Sequence, residues 1–171
     1  MWKPQHLNTI QKGTSYVSVL CCLSRSSSGL SAKFIRHLYI SVTLPKVLYS
    51  ISLWGSPTGI VNGHHHGNGA VIHALTTIQH QAAILITGGI SSSPTDVLEA
   101  HSNLLPIELL LNKYCYHSIL QLASLPPDHP LSPMLDHCAR LCPKHHLTSF
   151  HILLHLYPTN PLLIKTIQSP S

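Results

Sequence analysis

Histidine is the residue this chain holds in excess, fifteen among 171, and imidazole suits metal ligation and proton transfer near neutral pH. His64, His65 and His66 stand side by side in a glycine-rich stretch. Adjacent side chains cannot all face one metal without rearranging the loop, and no carboxylate or cysteine is near in sequence, so a solvated polar loop is expected there. A second set, "HCARLCPKHH", holds Cys138, Cys142, His145 and His146. All four are zinc ligands by type, but C-x3-C-x2-H is not a tight structural spacing, and they would meet only if the turn at Pro143 folded back. A His/Cys-rich metal-binding protein is therefore the alternative reading of the chain, and no metal site is expected.

Nucleophilic catalysis would need a triad, and Ser93, His101 and Asp96 could be written as one. Ser93 is better explained as a helix cap and lacks the strand-to-helix elbow of G-x-S-x-G. The carboxylates, Asp96, Glu99, Glu108, Asp128 and Asp136, form no cluster suited to two magnesium ions. No catalytic residue is expected. Lys33, Arg36 and Lys46, with His37, make a thin basic edge near Phe34, Tyr39, Tyr49 and Trp54. Such an edge suits phosphate contact and stacking on a sugar or base, and equally suits a solvated helix face.

The elements that must position these residues follow from composition and periodicity. The chain has length for a single domain, 1–171. It is 44% hydrophobic and 9% charged, with a formal net charge of +5; the usual charged fraction is about 25%, so poor solubility in isolation is expected. The excess of positive charge is compatible with a polyanionic partner. Cys21, Cys22, Cys115, Cys138 and Cys142 show no framework-like spacing and follow no signal peptide, which points to reduced intracellular thiols. Residues 38–54 and 70–86 are apolar, but Pro45 and Lys46 break the first and His73, Gln79, His80 and Gln81 the second, so no membrane span is expected.

Ile10, Tyr16, Val17, Leu20 and Leu23 are compatible with a first helix despite Gly13. Phe34, Ile35, Leu38, Tyr39 and Val42 recur at helical steps. Pro45 then suits the first turn of a segment carrying Val47, Leu48, Ile51 and Leu53, with a kink near Leu44. Residues 55–69, "GSPTGIVNGHHHGNG", read as a Gly/His-rich loop. Val71, Leu75, Ile78, Ala82 and Leu85, widened by Ile72, Ala83 and Ile86, predict a buried helix stopped at Gly88 and Gly89. Ser93 as N-cap, Pro94 and Asp96 start another, and Pro106 with Glu108 repeats the device. Ile107, Leu110, Leu111, Tyr114, Cys115, Ile119 and Leu122 trace a stripe that "LPPDHP" must end. Shorter helices are expected near 131–141 and 147–157. The fold class is all-α, about six or seven helices in an irregular bundle.

Three stretches carry a resemblance: "G...K..R.LY..V.LPK.LY...W" from Gly29 to Trp54, "L..IQ..AA..ITG" from Leu75 to Gly88, and "SPTDVLEAHSNLLPIE" from Ser93 to Glu108. With "LPPDHPL" and the tail "HHLTSFHILLHLYPTNPLLIKTIQSP", they resemble, in order and over most of the chain, fungal non-LTR retrotransposon reverse transcriptases of jockey-like mobile elements. The matching part is the thumb and connection region between the polymerase palm and ribonuclease H. The resemblance implies a helical element that positions an RNA/DNA template-primer beside a palm domain, with Lys33, Arg36 and Lys46 as phosphate contacts. It also implies that the chain is not an enzyme by itself. The parent RNA-directed DNA polymerase uses magnesium held by paired palm aspartates, and the sequence has no Asp-Asp pair, so no cofactor is expected in this fragment. Cys21, Cys22 and His80 stand where the family often has arginine. Deamination of CGN codons gives such replacements, which points to a degenerating genomic copy without a selected function.

Overall fold

The computed structural model describes residues 3–24, 29–49, 51–54, 59–61, 64–66, 69–126 and 128–140. The fold is all-α. Its helices are α1 (Lys3–Leu23), α2 (Ala32–Leu38), α3 (Leu44–Val47), the single turn α4 (Ile51–Trp54), α5 (Gly69–Thr87), α6 (Thr95–Ser102), α7 (Ile107–Ala123) and α8 (Ser132–Arg140). A π-helical turn, Tyr39–Thr43, joins α2 to α3 without a break. The expected helix near 147–157 lies outside the described residues. Within the stretch read as a loop, Gly59–Val61 (β1) and His64–His66 (β2) pair antiparallel, Gly59 opposite His66 and Val61 opposite His64.

The chain divides into two compact units, one of residues 1–50 and 69–110, the other of residues 51–68 and 111–171. In the first, α5 is the central element and packs against α1, α2 and α6. α5 is long and apolar enough to cross a membrane by length and composition; here Val71, Leu75, Ile78, Ala82, Ala83 and Ile86 are buried in the unit. Gly88, at φ +69°, takes the left-handed conformation that ends the helix, as its lack of a Cβ allows. α1 runs through Gly13 because that glycine faces the core: a Cβ there would sit 2.9 Å from Ile78 Cδ1 and 3.4 Å from Val47 Cγ2. The missing side chain lets α1 approach α5 closely, and this outweighs glycine's helix penalty of about 1 kcal/mol.

The inward row of the next helical run is Ile35, Tyr39, Thr43 and Val47, with Leu44 and Leu48 beside it. Steps of four residues drift about 40° per turn on an α-helix. The wide π turn takes up that drift, its Leu44 N–H reaching back to the carbonyl of Tyr39. Pro45, which has no N–H to give, follows directly at the first turn of α3. The expected stripe is corrected accordingly: Phe34 is 61% exposed and Val42 40%, because Ile35 and Thr43 hold the inward positions. The run stops at Leu48, whose φ of −90° and ψ of 8° leave the helix.

α6 also departs from expectation at its start. Pro94, not Ser93, is the N-cap, and no side chain caps the helix; Ser93 N–H instead closes a turn onto the Ile90 carbonyl at 3.0 Å. Asp96 does occupy the first turn. The stop is Asn103, left-handed at φ 51°, with Leu104 N–H bonded to the Glu99 carbonyl at 2.9 Å.

In the second unit, α7 buries Leu111, Cys115 and Ile119, neighbours one helical turn apart. The proline-rich stop after α7 is a turn in which His129 N–H bonds Pro126 O and Ser132 Oγ bonds the same carbonyl at 3.0 Å, leading into α8.

Candidate nucleic-acid interface

Of the three basic residues, Lys33 and Lys46 are exposed and Arg36 is half-buried. On the run from Ala32 to Val47, Lys33 stands two residues before the inward Ile35 and Lys46 one residue before the inward Val47, which sets them about 100° apart about the helix axis. The two lysines therefore do not form one stripe. Arg36 is committed elsewhere: Nε donates to the Ser102 carbonyl at 2.8 Å and Nη2 to the Asn103 carbonyl at 2.8 Å. These carbonyls close the C-terminal end of α6, where a cation is favoured by the helix dipole. A phosphate would draw Arg36 away only at the cost of both bonds.

The residues that the fold does bring together are polar and buried. Gln79 lies in the apolar face of α5 with no exposed surface, and Tyr39 and Glu99 are buried beside it. Tyr39 Oη donates to Gln79 Oε1 at 3.3 Å. Gln79 Nε2 donates to Glu99 Oε1 at 2.6 Å and to the Leu105 carbonyl at 3.0 Å. The flipped amide would set Gln79 Oε1 against two acceptors, so the network assigns its orientation. Burial, and then the charge of Glu99, push the Tyr39 hydroxyl well above the ordinary tyrosine pKa, which keeps it a donor.

A second polar link lies at the surface of the same unit. His80 Nε2 meets the Ser91 carbonyl at 3.3 Å and Nδ1 meets Thr95 Oγ1 at 3.0 Å. A carbonyl only accepts, so Nε2 carries a proton, and in the neutral ring Nδ1 accepts from the threonine hydroxyl. His80 thereby ties α5 to the turn before α6.

Among the described residues the catalytic candidates do not come together. Ser93 and His101 line one open depression of about 420 Å³ with Thr87, Gly89, Val97 and Leu98, but Asp96 does not reach it. Cys138 is buried in α8, whereas Cys142, His145 and His146 lie outside the described residues. Among the described residues no three His, Cys, Asp or Glu side chains are grouped to hold a metal ion.

Gln79 and Glu99 are the residues that periodicity alone passed over. For Gln79 the signal was available, a polar residue on the apolar face of α5 at the i+4 step from Leu75; Glu99 stands at helical steps from Thr95, Asp96, Ser102 and Asn103, so no apolar stripe marks it. Comparison of the chain with protein-family models, curated proteins and solved structures gives no match.

Proposed function

We propose that the chain is a non-catalytic helical fragment of a non-LTR retrotransposon reverse transcriptase, from the thumb and connection region that positions the template-primer. One observation supports the reading above others. The three stretches that carry the resemblance meet through polar groups: Arg36 with the Ser102 and Asn103 carbonyls, Tyr39 with Gln79, and Gln79 with Glu99 and the Leu105 carbonyl. Packing of three segments through such bonds is what a scaffold element requires. Within this reading, Lys33 and Lys46 remain the residues available to phosphate, and Arg36 shapes the surface that presents Lys33.

Two experiments test it. Sequencing the genomic DNA on both sides of the reading frame should reveal coding sequence for paired palm aspartates upstream and ribonuclease H downstream; unrelated flanks would overturn the origin. Titration of a fluorescent RNA/DNA template-primer at several salt concentrations should give weak binding. Its log–log salt slope should be of order −1 to −2, with Lys33→Ala and Lys46→Ala each reducing it by about 1. Salt-independent binding, or none, would remove nucleic acid as the partner.

A further inference from the structure

The described cysteines fall into two classes. Cys115 and Cys138 are buried, while Cys21 and Cys22 are exposed and adjacent in the last turn of α1. Neighbouring Cβ atoms on an α-helix are roughly 5 Å apart and point about 100° from each other, whereas a disulfide needs them about 3.5–4.5 Å apart. A bond between Cys21 and Cys22 would therefore require the turn to unwind. That end of α1 is fastened: Ser24 N–H bonds the Leu20 carbonyl at 3.0 Å, Ser24 Oγ the Cys21 carbonyl at 3.0 Å, and Leu30 N–H the Leu23 carbonyl at 2.8 Å.

We propose that Cys21 and Cys22 are a paired site of S-thiolation, which takes up two small-molecule thiols from disulfides of the glutathione class and retains them. In each step one cysteine thiolate attacks a sulfur of the disulfide RSSR. The reagent's S–S bond breaks, a Cys–S–S–R bond forms, and RS⁻ leaves with the electron pair and takes up the proton that the cysteine released. The cysteine sulfur is oxidised and the departing sulfur is reduced. In a dithiol able to close, the second thiol would expel the first adduct as RSH and leave an internal disulfide. The pinned helix blocks that step, so the second cysteine reacts with its own RSSR. Cys115 stays outside this chemistry because it is enclosed, and burial pushes its thiol from 9.0 up to about 11.

The test incubates the full chain with oxidised glutathione, followed by intact mass measurement and peptide mapping. Two glutathionyl adducts on the peptide containing Cys21 and Cys22 are expected, with one each in Cys21→Ser and Cys22→Ser. Cys115 should react at least about ten-fold more slowly until urea is added. A chain lighter by two hydrogens and free of adduct at that peptide would mean that the vicinal disulfide forms, and would overturn the proposal. So would failure of the pair to react, or reaction of Cys115 at a similar rate. Unchanged circular dichroism of the serine variants controls for folding, since both positions are exposed.

Discussion

α5 and α7 both bury an apolar face, yet they treat an inward amide in opposite ways. On α5, Gln79 is enclosed and makes hydrogen bonds to Tyr39, Glu99 and Leu105. On α7, Asn112 Oδ1 is buried and has no partner among the described residues. A buried polar group adds stability only where other segments bring it complementary groups; without them it keeps its desolvation cost of about 1–3 kcal/mol. The pairing at Gln79 also sets register, because rotating α5 by one residue would break every one of those bonds. α7 is held by apolar contact at Cys115 and Ile119, which tolerates such adjustment more readily.

The largest effect that could break this contrast is Gln79→Leu. It leaves Glu99, Tyr39 and the Leu105 carbonyl without their partner, and should destabilise the chain by roughly 3–5 kcal/mol in urea denaturation. A loss below about 1 kcal/mol would mean the network does not hold the unit together.

The next test uses alkali. Because the Cys115 thiol is raised from 9.0 to about 11 in the folded chain, the unfolded chain releases that proton first. Stability should be level below pH 9 and fall between pH 9 and 11, by up to about 2 kcal/mol. Tyr39, shifted in the same direction, adds to the loss above pH 10. Cys115→Ala should flatten the part that begins near pH 9, read as the urea midpoint against pH. An unchanged slope in that variant would show that the thiol is not enclosed.

Arg36→Ala and Lys33→Ala sharpen the distinction between a structural and a surface cation. The first should cost about 1–2 kcal/mol through loss of the two bonds closing α6. The second should change stability by less than about 0.5 kcal/mol. Equal effects would remove the distinction. The smallest effect belongs to Asn112→Leu, which deletes an unpaired acceptor and should be neutral or stabilising by up to about 1 kcal/mol in the same denaturation assay. A marked loss would show that Asn112 has a partner after all.

Much of the secondary structure was legible in the residues. Pro45 at a first turn, the stop at Gly88, the stripe Ile107–Leu110–Leu111–Cys115–Ile119 and the proline-rich end of α7 all follow from local steric rules and helical period. Gly13 shows how such rules mislead: its penalty argued against a helix, while its contact with Ile78 is what the packing needs. Phe34 and Val42 were placed inward on a uniform 3.6-residue period, which a π turn at Tyr39–Thr43 violates. Arg36 and Lys33 are alike in sequence, and nothing local to either foretells that one will reach the end of α6.

Sequence by itself determined that these segments are helical and where α5 and α7 stop, because that depends on neighbours within a few residues. Tertiary structure alone decided that Gln79 and Glu99 are paired core residues, that Arg36 is a cap, and that His80 is a tie between segments. Each of those roles needs a partner that chain folding brings from at least ten residues away, and no local pattern encodes that distance.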